Sequence, residues 1–159
     1  MATPRRIQAT AGKSIRGNMA KLKAGTGPYS GSNIGIIKTI FGISVAKNDH
    51  GTYHLKGNKW VAFIYLAIQQ PDGTWENPIG AAWRNIPDSD GKGFTRICDD
   101  PTKNRLFALP NRDYAIFTKD PKTKSSYFYG VFEFEEEKNN YVECVFRRKS
   151  PELDLAEWS

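Results

Sequence analysis

The rhythm of hydrophobic and polar positions changes near residue 34. Before it, Ile7, Ala11, Ile15 and Met19 recur every four residues, a spacing that predicts a short amphipathic helix with cations on its flanks. Gly12 and Gly17 each cost such a helix about 1 kcal/mol relative to Ala, so it needs a partner to persist. Residues 24–33, AGTGPYSGSN, carry no charge and read as a Gly/Ser/Pro linker. Strands and turns follow. GIIKTIFGISVA (35–46) is rich in β-branched residues and predicts a strand, as does GTYHLKG (51–57). KWVAFIYLAIQQ (59–70) is continuously apolar, the pattern of a central strand buried on both faces, and PDGT (71–74) is a turn. Residues 75–83 predict an edge strand because of Pro78.

The second half continues in the same manner. After the polar loop 84–101, with a brief strand at 95–98, RLFAL (105–109) and DYAIFTKD (113–120) predict strands around the turn at Pro110–Asn111. SSYFYGVFEFEEE (125–137) alternates, with Phe128, Phe132 and Phe134 on one face and Tyr127, Tyr129, Val131, Glu133 and Glu135 on the other. YVECVFRRK (141–149) returns as its hairpin partner, and the acidic tail ends in one helical turn. Seven to nine short strands predict an all-β fold, an antiparallel sandwich or barrel of jelly-roll type with a basic N-terminal arm. The implied organisation is arm 1–23, linker 24–33, β domain 34–149 and tail 150–159.

Composition agrees. Aromatic residues make up 13 % of the 159, which favours sheets, and 39 % are hydrophobic, enough for one core. Cys98 and Cys144 form no metal or disulfide framework by spacing, so reduced thiols and an intracellular location, or a virion, are expected. No hydrophobic signal segment opens the sequence, and the longest apolar run is about half a membrane span.

Charge adds the functional clue. The first 48 residues carry eight Lys/Arg and no carboxylate, whereas the other 111 carry 15 Lys/Arg against 17 Asp/Glu. The whole +6 thus belongs to the leading segment, which points to a polyanionic partner. Arg5, Arg6, Lys13, Arg16, Lys21 and Lys23 are the candidate phosphate contacts, and Arg147, Arg148 and Lys149 form a second cluster. The expected partner is the phosphate backbone of single-stranded nucleic acid, with exposed Trp75, Trp83, Tyr127 or Tyr129 available to stack on bases.

Catalytic signals are sparse. His50, His54 and Lys56 are the parts of a small ribonuclease, but on one strand the two histidines stand about 13 Å apart, too far to share a phosphate. Asp99–Asp100 and Glu135–Glu136–Glu137 read as solvated turns rather than Mg²⁺ ligands. No phosphate loop, GxSxG, HExxH or paired CxxC occurs. The expectation is a protein without enzyme activity, cofactor or metal.

WVAFIYLAIQQPDGTWENP (60–78) and NRLFALPNRDYAIFTKD (104–120), behind a basic arm, resemble the small single-jelly-roll coat proteins of viruses, including circular single-stranded DNA viruses. That resemblance implies a homo-oligomer that packages or carries its genome. DYAIFTKDPKTKSSYFYGVFEFEEE (113–137) is similar to the late hairpin of PUA and SRA barrels, which read modified or flipped bases. This second resemblance implies a pocket lined by some of Trp60, Trp83, Tyr127 and Tyr129. A protein-binding inhibitor of a host factor is the remaining alternative.

Overall fold

The computed structural model describes residues 20–48 and 50–159. The helix expected around Ile7 to Met19, with Arg5, Arg6, Lys13 and Arg16, lies outside the described residues. Eleven strands are present: β1 Lys21–Lys23, β2 Thr52–Lys56, β3 Lys59–Ile64, β4 Ile68–Gln69, β5 Trp75–Glu76, β6 Arg84–Pro87, β7 Gly93–Ile97, β8 Asp113–Lys119, β9 Ser126–Lys138, β10 Glu143–Ser150 and β11 Glu152–Asp154. Among the described residues three α-helices, α1 Asn33–Phe41, α2 Pro101–Phe107 and α3 Leu155–Trp158, and a 3-10 turn at Asn139–Tyr141 accompany them. The fold is mostly β, as the strand pattern implied.

Seven strands form one sheet in the order β2-β3-β8-β9-β10-β7-β6. β3 and β8 run parallel, from Lys59↔Asp113 to Ile64↔Thr118, and every other pair in the sheet is antiparallel. The sheet is therefore mixed rather than antiparallel throughout. A parallel pair needs a crossover, and here the chain from residue 65 to 112 supplies it, carrying β4 to β7 and α2. Just past β3, Leu66 bridges Asn85 of β6, Ala67 N–H donates to Asn85 O at 2.8 Å, and Asn85 Nδ2 donates to Tyr65 O at 3.1 Å. These contacts bring β6 back to the end of β3 and close six strands into a barrel.

β3 shows why its apolar run was continuous. Val61 and Phe63 face one core with Ala115, Phe117, Phe128 and Ile37 of α1; Ala62 and Ile64 face the barrel interior with Phe94, Tyr114, Phe132 and Phe146. Phe146 stacks on Phe94 with centroids 4.9 Å apart and meets Phe107 and Tyr114 edge-on.

Two stretches expected as strands are helical. Residues 33–41 form α1 because Ser32 caps its start, accepting from Gly35 N at 3.0 Å, and Gly42 ends it at φ 72°. The caps and a buried face of Ile36, Ile37 and Phe41 override the β-branched composition. Likewise Pro101–Phe107 is α2, with Asp100 as N-cap and Pro101 at its first turn. The neutral stretch at 24–33 lies against the sheet: Gly25 N donates to Phe128 O at 2.7 Å, and Tyr29 bridges Ser126. β1 pairs with β11, which buries Leu22 in the core under α1.

Candidate nucleic-acid interface

The parallel strands β3 and β8 end at the same height, and a cavity of about 210 Å³ opens there. Its deep wall is Ile64, Phe107 and Arg96, all nearly inaccessible; its outer wall includes Tyr65, Trp83 and Lys119. Asn33 at the start of α1, with Asn48 and His50 from the loop before β2, completes the rim. None of the described lining residues is a carboxylate.

Arg96 dominates the site. It belongs to β7, is 6 % exposed, and projects into the barrel because its strand alternates buried and half-buried positions. Nε donates to Asn104 Oδ1 at 3.0 Å and Nη1 to Asn85 Oδ1 at 3.2 Å. The guanidinium lies 4.1 Å from the Phe107 ring centroid and 5.5 Å from that of Trp83. Asn104 is itself fully buried and donates to Tyr141 O at 2.6 Å. Neutral amides and aromatic faces thus replace a counter-ion: no carboxylate pairs with Arg96 among the described residues. Burial pulls its pKa down to about 10, so the charge persists at neutral pH.

The rim is cationic too. Lys119 Nζ donates to Asn33 Oδ1 at 3.1 Å and lies 6.0 Å from the Phe63 ring. Lys124 Nζ sits 5.5 Å from the Tyr65 ring. Burial first, then repulsion from Lys124, pulls Lys119 below the usual lysine range. Asp120, between them in sequence, spends its carboxylate on its own loop, accepting from Lys122 N at 2.7 Å and Thr123 N at 3.0 Å.

The other candidates fall elsewhere. Lys21 pairs with Glu152 at 3.6 Å, and Lys23 is exposed on the same short strand. Arg147 meets Asp88 at 3.7 Å, Asp90 at 3.3 Å and Glu135 at 3.7 Å. Arg148 Nη1 donates to Tyr129 O at 3.4 Å, and Lys149 Nζ to Asp113 Oδ1 at 2.7 Å. The cluster 147–149 is therefore largely engaged within the protein. Of the aromatics proposed for a pocket, only Trp83 lines this cavity. Trp60 is covered by Arg112 at 3.5 Å and stacks on His54 at 4.8 Å. Tyr129 stacks on Phe132 at 5.1 Å, and Tyr127 lines a neighbouring groove with Leu66, Ile68 and Pro78. Sequence reasoning missed Arg96, Lys119 and Tyr65, which bear no local signature; only the buried side of an alternating strand hinted at Arg96.

The catalytic candidates do not converge. His54 is bonded to Gly57 O at 2.8 Å beneath Trp60, while His50 lines the cavity, so the ribonuclease pair is not assembled. Asp100 caps α2, Glu135 pairs with Arg147, and Glu137 accepts from Tyr141 N at 3.1 Å. Among the described residues no three His, Cys, Asp or Glu side chains gather as a metal site, and no helix is long and apolar enough to cross a membrane.

No known protein family matches the chain, and no curated protein matches it in sequence. Among solved structures, the 5-hydroxymethylcytosine-specific restriction enzyme AbaSI is similar in shape, with 21 % identity over 72 % of this chain and a TM-score of 0.49. The match spans 36 % of the AbaSI chain, about a third of its length. Against the expectation of a protein without enzyme activity stands this neighbour, which is a restriction enzyme. The comparisons give the coat-protein resemblance no support.

Proposed function

We propose that this chain is a nucleic-acid-binding barrel of the PUA/SRA type that accepts one extruded base at the shared end of β3 and β8. One observation carries the reading: the cavity joins aromatic walls, Tyr65 and Trp83, to the cations Arg96 and Lys119, with no carboxylate among its described lining residues. Its volume, about 210 Å³, is below the roughly 300–1,000 Å³ of drug-sized pockets and matches the scale of a single nucleobase. Extrusion costs a few kcal/mol of stacking and pairing, and an aromatic wall returns about 1–3 kcal/mol per base. Lys119 and Lys124, unpaired with carboxylates among the described residues, stand where the flanking phosphates would lie. Arg5, Arg6, Lys13 and Arg16 would add backbone contacts that carry no sequence information.

Fluorescence anisotropy with labelled duplexes containing one mismatched base, titrated at several salt concentrations, tests this. Trp83→Ala is expected to weaken binding by about 1–3 kcal/mol, from roughly fivefold to more than a hundredfold, with folding retained. Replacing Arg5, Arg6, Lys13 and Arg16 with Ser is expected to flatten the log–log salt slope by up to about 3.6 while sparing discrimination between mismatched and paired duplexes. Equal affinity of wild type and Trp83→Ala for the mismatched duplex would overturn the assignment of the cavity.

A further inference from the structure

The floor of the cavity specifies what kind of base enters, an inference that rests on the base-reading function above. A guanidinium offers five N–H donors and no acceptor. In Arg96 the hydrogen bonds to Asn104 and Asn85 occupy one donor on Nε and one on Nη1, leaving Nη2 without a hydrogen bond. Among the described residues, Ser126 Oγ is the only sealed side-chain polar atom that lacks a partner. The unbonded Nη2 is therefore not sealed, and Arg96 lines the cavity. The rings of Phe107 and Trp83 lie over the guanidinium, and the two amide oxygens fix its rotation. Its open edge is thus held ready in one plane, as a planar ligand requires.

We propose that Arg96 is the specificity-determining residue of the cavity and that it selects a base presenting two acceptors side by side, guanine through O6 and N7 or cytosine through N3 and O2, over adenine and thymine. Adenine sets N7 and N1 each beside its N6 amino donor, which would point a donor at a donor, and thymine's two oxygens flank its N3–H donor, so neither base offers the pair. A buried cation without a carboxylate partner among the described residues makes the mismatch costly, because the ligand supplies the acceptor for its open edge. The flanking Asn85 and Asn104 are positioning residues: they direct the guanidinium without touching the base.

The test uses the full chain and four duplexes that place G, A, C or T opposite one abasic site, so that each central base is unpaired, plus a fifth with 7-deazaguanine. Guanine is expected to bind about tenfold or more tightly than adenine, in keeping with the 1–3 kcal/mol of a bidentate pair. Loss of N7 in 7-deazaguanine should remove most of that preference in the unaltered protein. Arg96→Lys, which keeps the charge but not the fork, should compress the range among the four bases to less than about threefold while the salt slope stays unchanged. The deaza probe keeps the inference open to refutation should the substituted protein fail to fold. Wild-type binding that ranks the unpaired bases equally overturns the role of Arg96 but leaves base reading standing. Failure to prefer any of these duplexes over a paired one overturns base reading itself, and this inference with it.

Discussion

Arg96 and Arg147 sit two residues beyond and one residue beyond a core phenylalanine, on the adjacent strands β7 and β10, and have opposite surroundings. Arg147 is half-exposed and meets three carboxylates within 3.7 Å. Arg96 is 6 % exposed and meets none among the described residues. Surface ion pairs arise readily because water screens both partners, and each contributes at most about 1 kcal/mol. A buried cation held by neutral amides and ring faces is costly to maintain. The contrast teaches that the density of Lys and Arg in a sequence is a poor guide to which cation lacks a carboxylate partner among the described residues. In the dense cluster Arg147 and Lys149 are held by carboxylates and Arg148 by the Tyr129 carbonyl, while the solitary Arg96 lines an open cavity.

Three experiments sharpen or break this comparison. The largest effect is expected at Asn104, which accepts from Arg96 Nε and donates to the Tyr141 carbonyl. Asn104→Ala should cost on the order of 3 kcal/mol of folding stability in urea titration, because it strands a buried donor and a buried carbonyl together. A loss below about 1 kcal/mol would mean that water readily reaches Arg96, and the contrast with Arg147 would dissolve. A smaller effect is expected at the other pole: Arg147→Ala should change stability by about 1 kcal/mol or less and leave oligonucleotide affinity within roughly threefold. A large drop in affinity would show that the carboxylates around Arg147 do not occupy it.

The smallest change concerns the thiol beside the barrel network. Burial, the largest cause, pushes Cys144 up to about 12. The native thiol therefore stays protonated at pH 8, and iodoacetamide should modify it only when the protein is unfolded. The sign for stability follows: the raised value contributes fully below the unfolded pKa of about 8.5 and is lost as pH climbs towards 12. Rapid native alkylation at pH 8 would show that the barrel interior opens on that timescale.

The sequence by itself determined what depends on local pattern. β3 was legible because burial on both faces demands an unbroken apolar run. The single apolar face expected for β9 is corrected: a register shift opposite Ile116 and Phe117 breaks the alternation, so Phe128 and Val131 join one core and Phe132 the other. The lopsided charge was equally plain, since it needs no geometry. Helix α1 was misread because Ile, Thr and Phe suit strands, and its caps, Ser32 and Gly42, are residues that also populate turns. Only the tertiary structure decided the surroundings of Arg96. Arg96 gains its environment from Asn85, Asn104, Phe107 and Trp83, each 8 to 13 residues away in sequence, on separate elements that closure of the barrel brings together. A side chain's burial and its lack of a counter-ion are properties of that closure, and no periodicity along the chain encodes them.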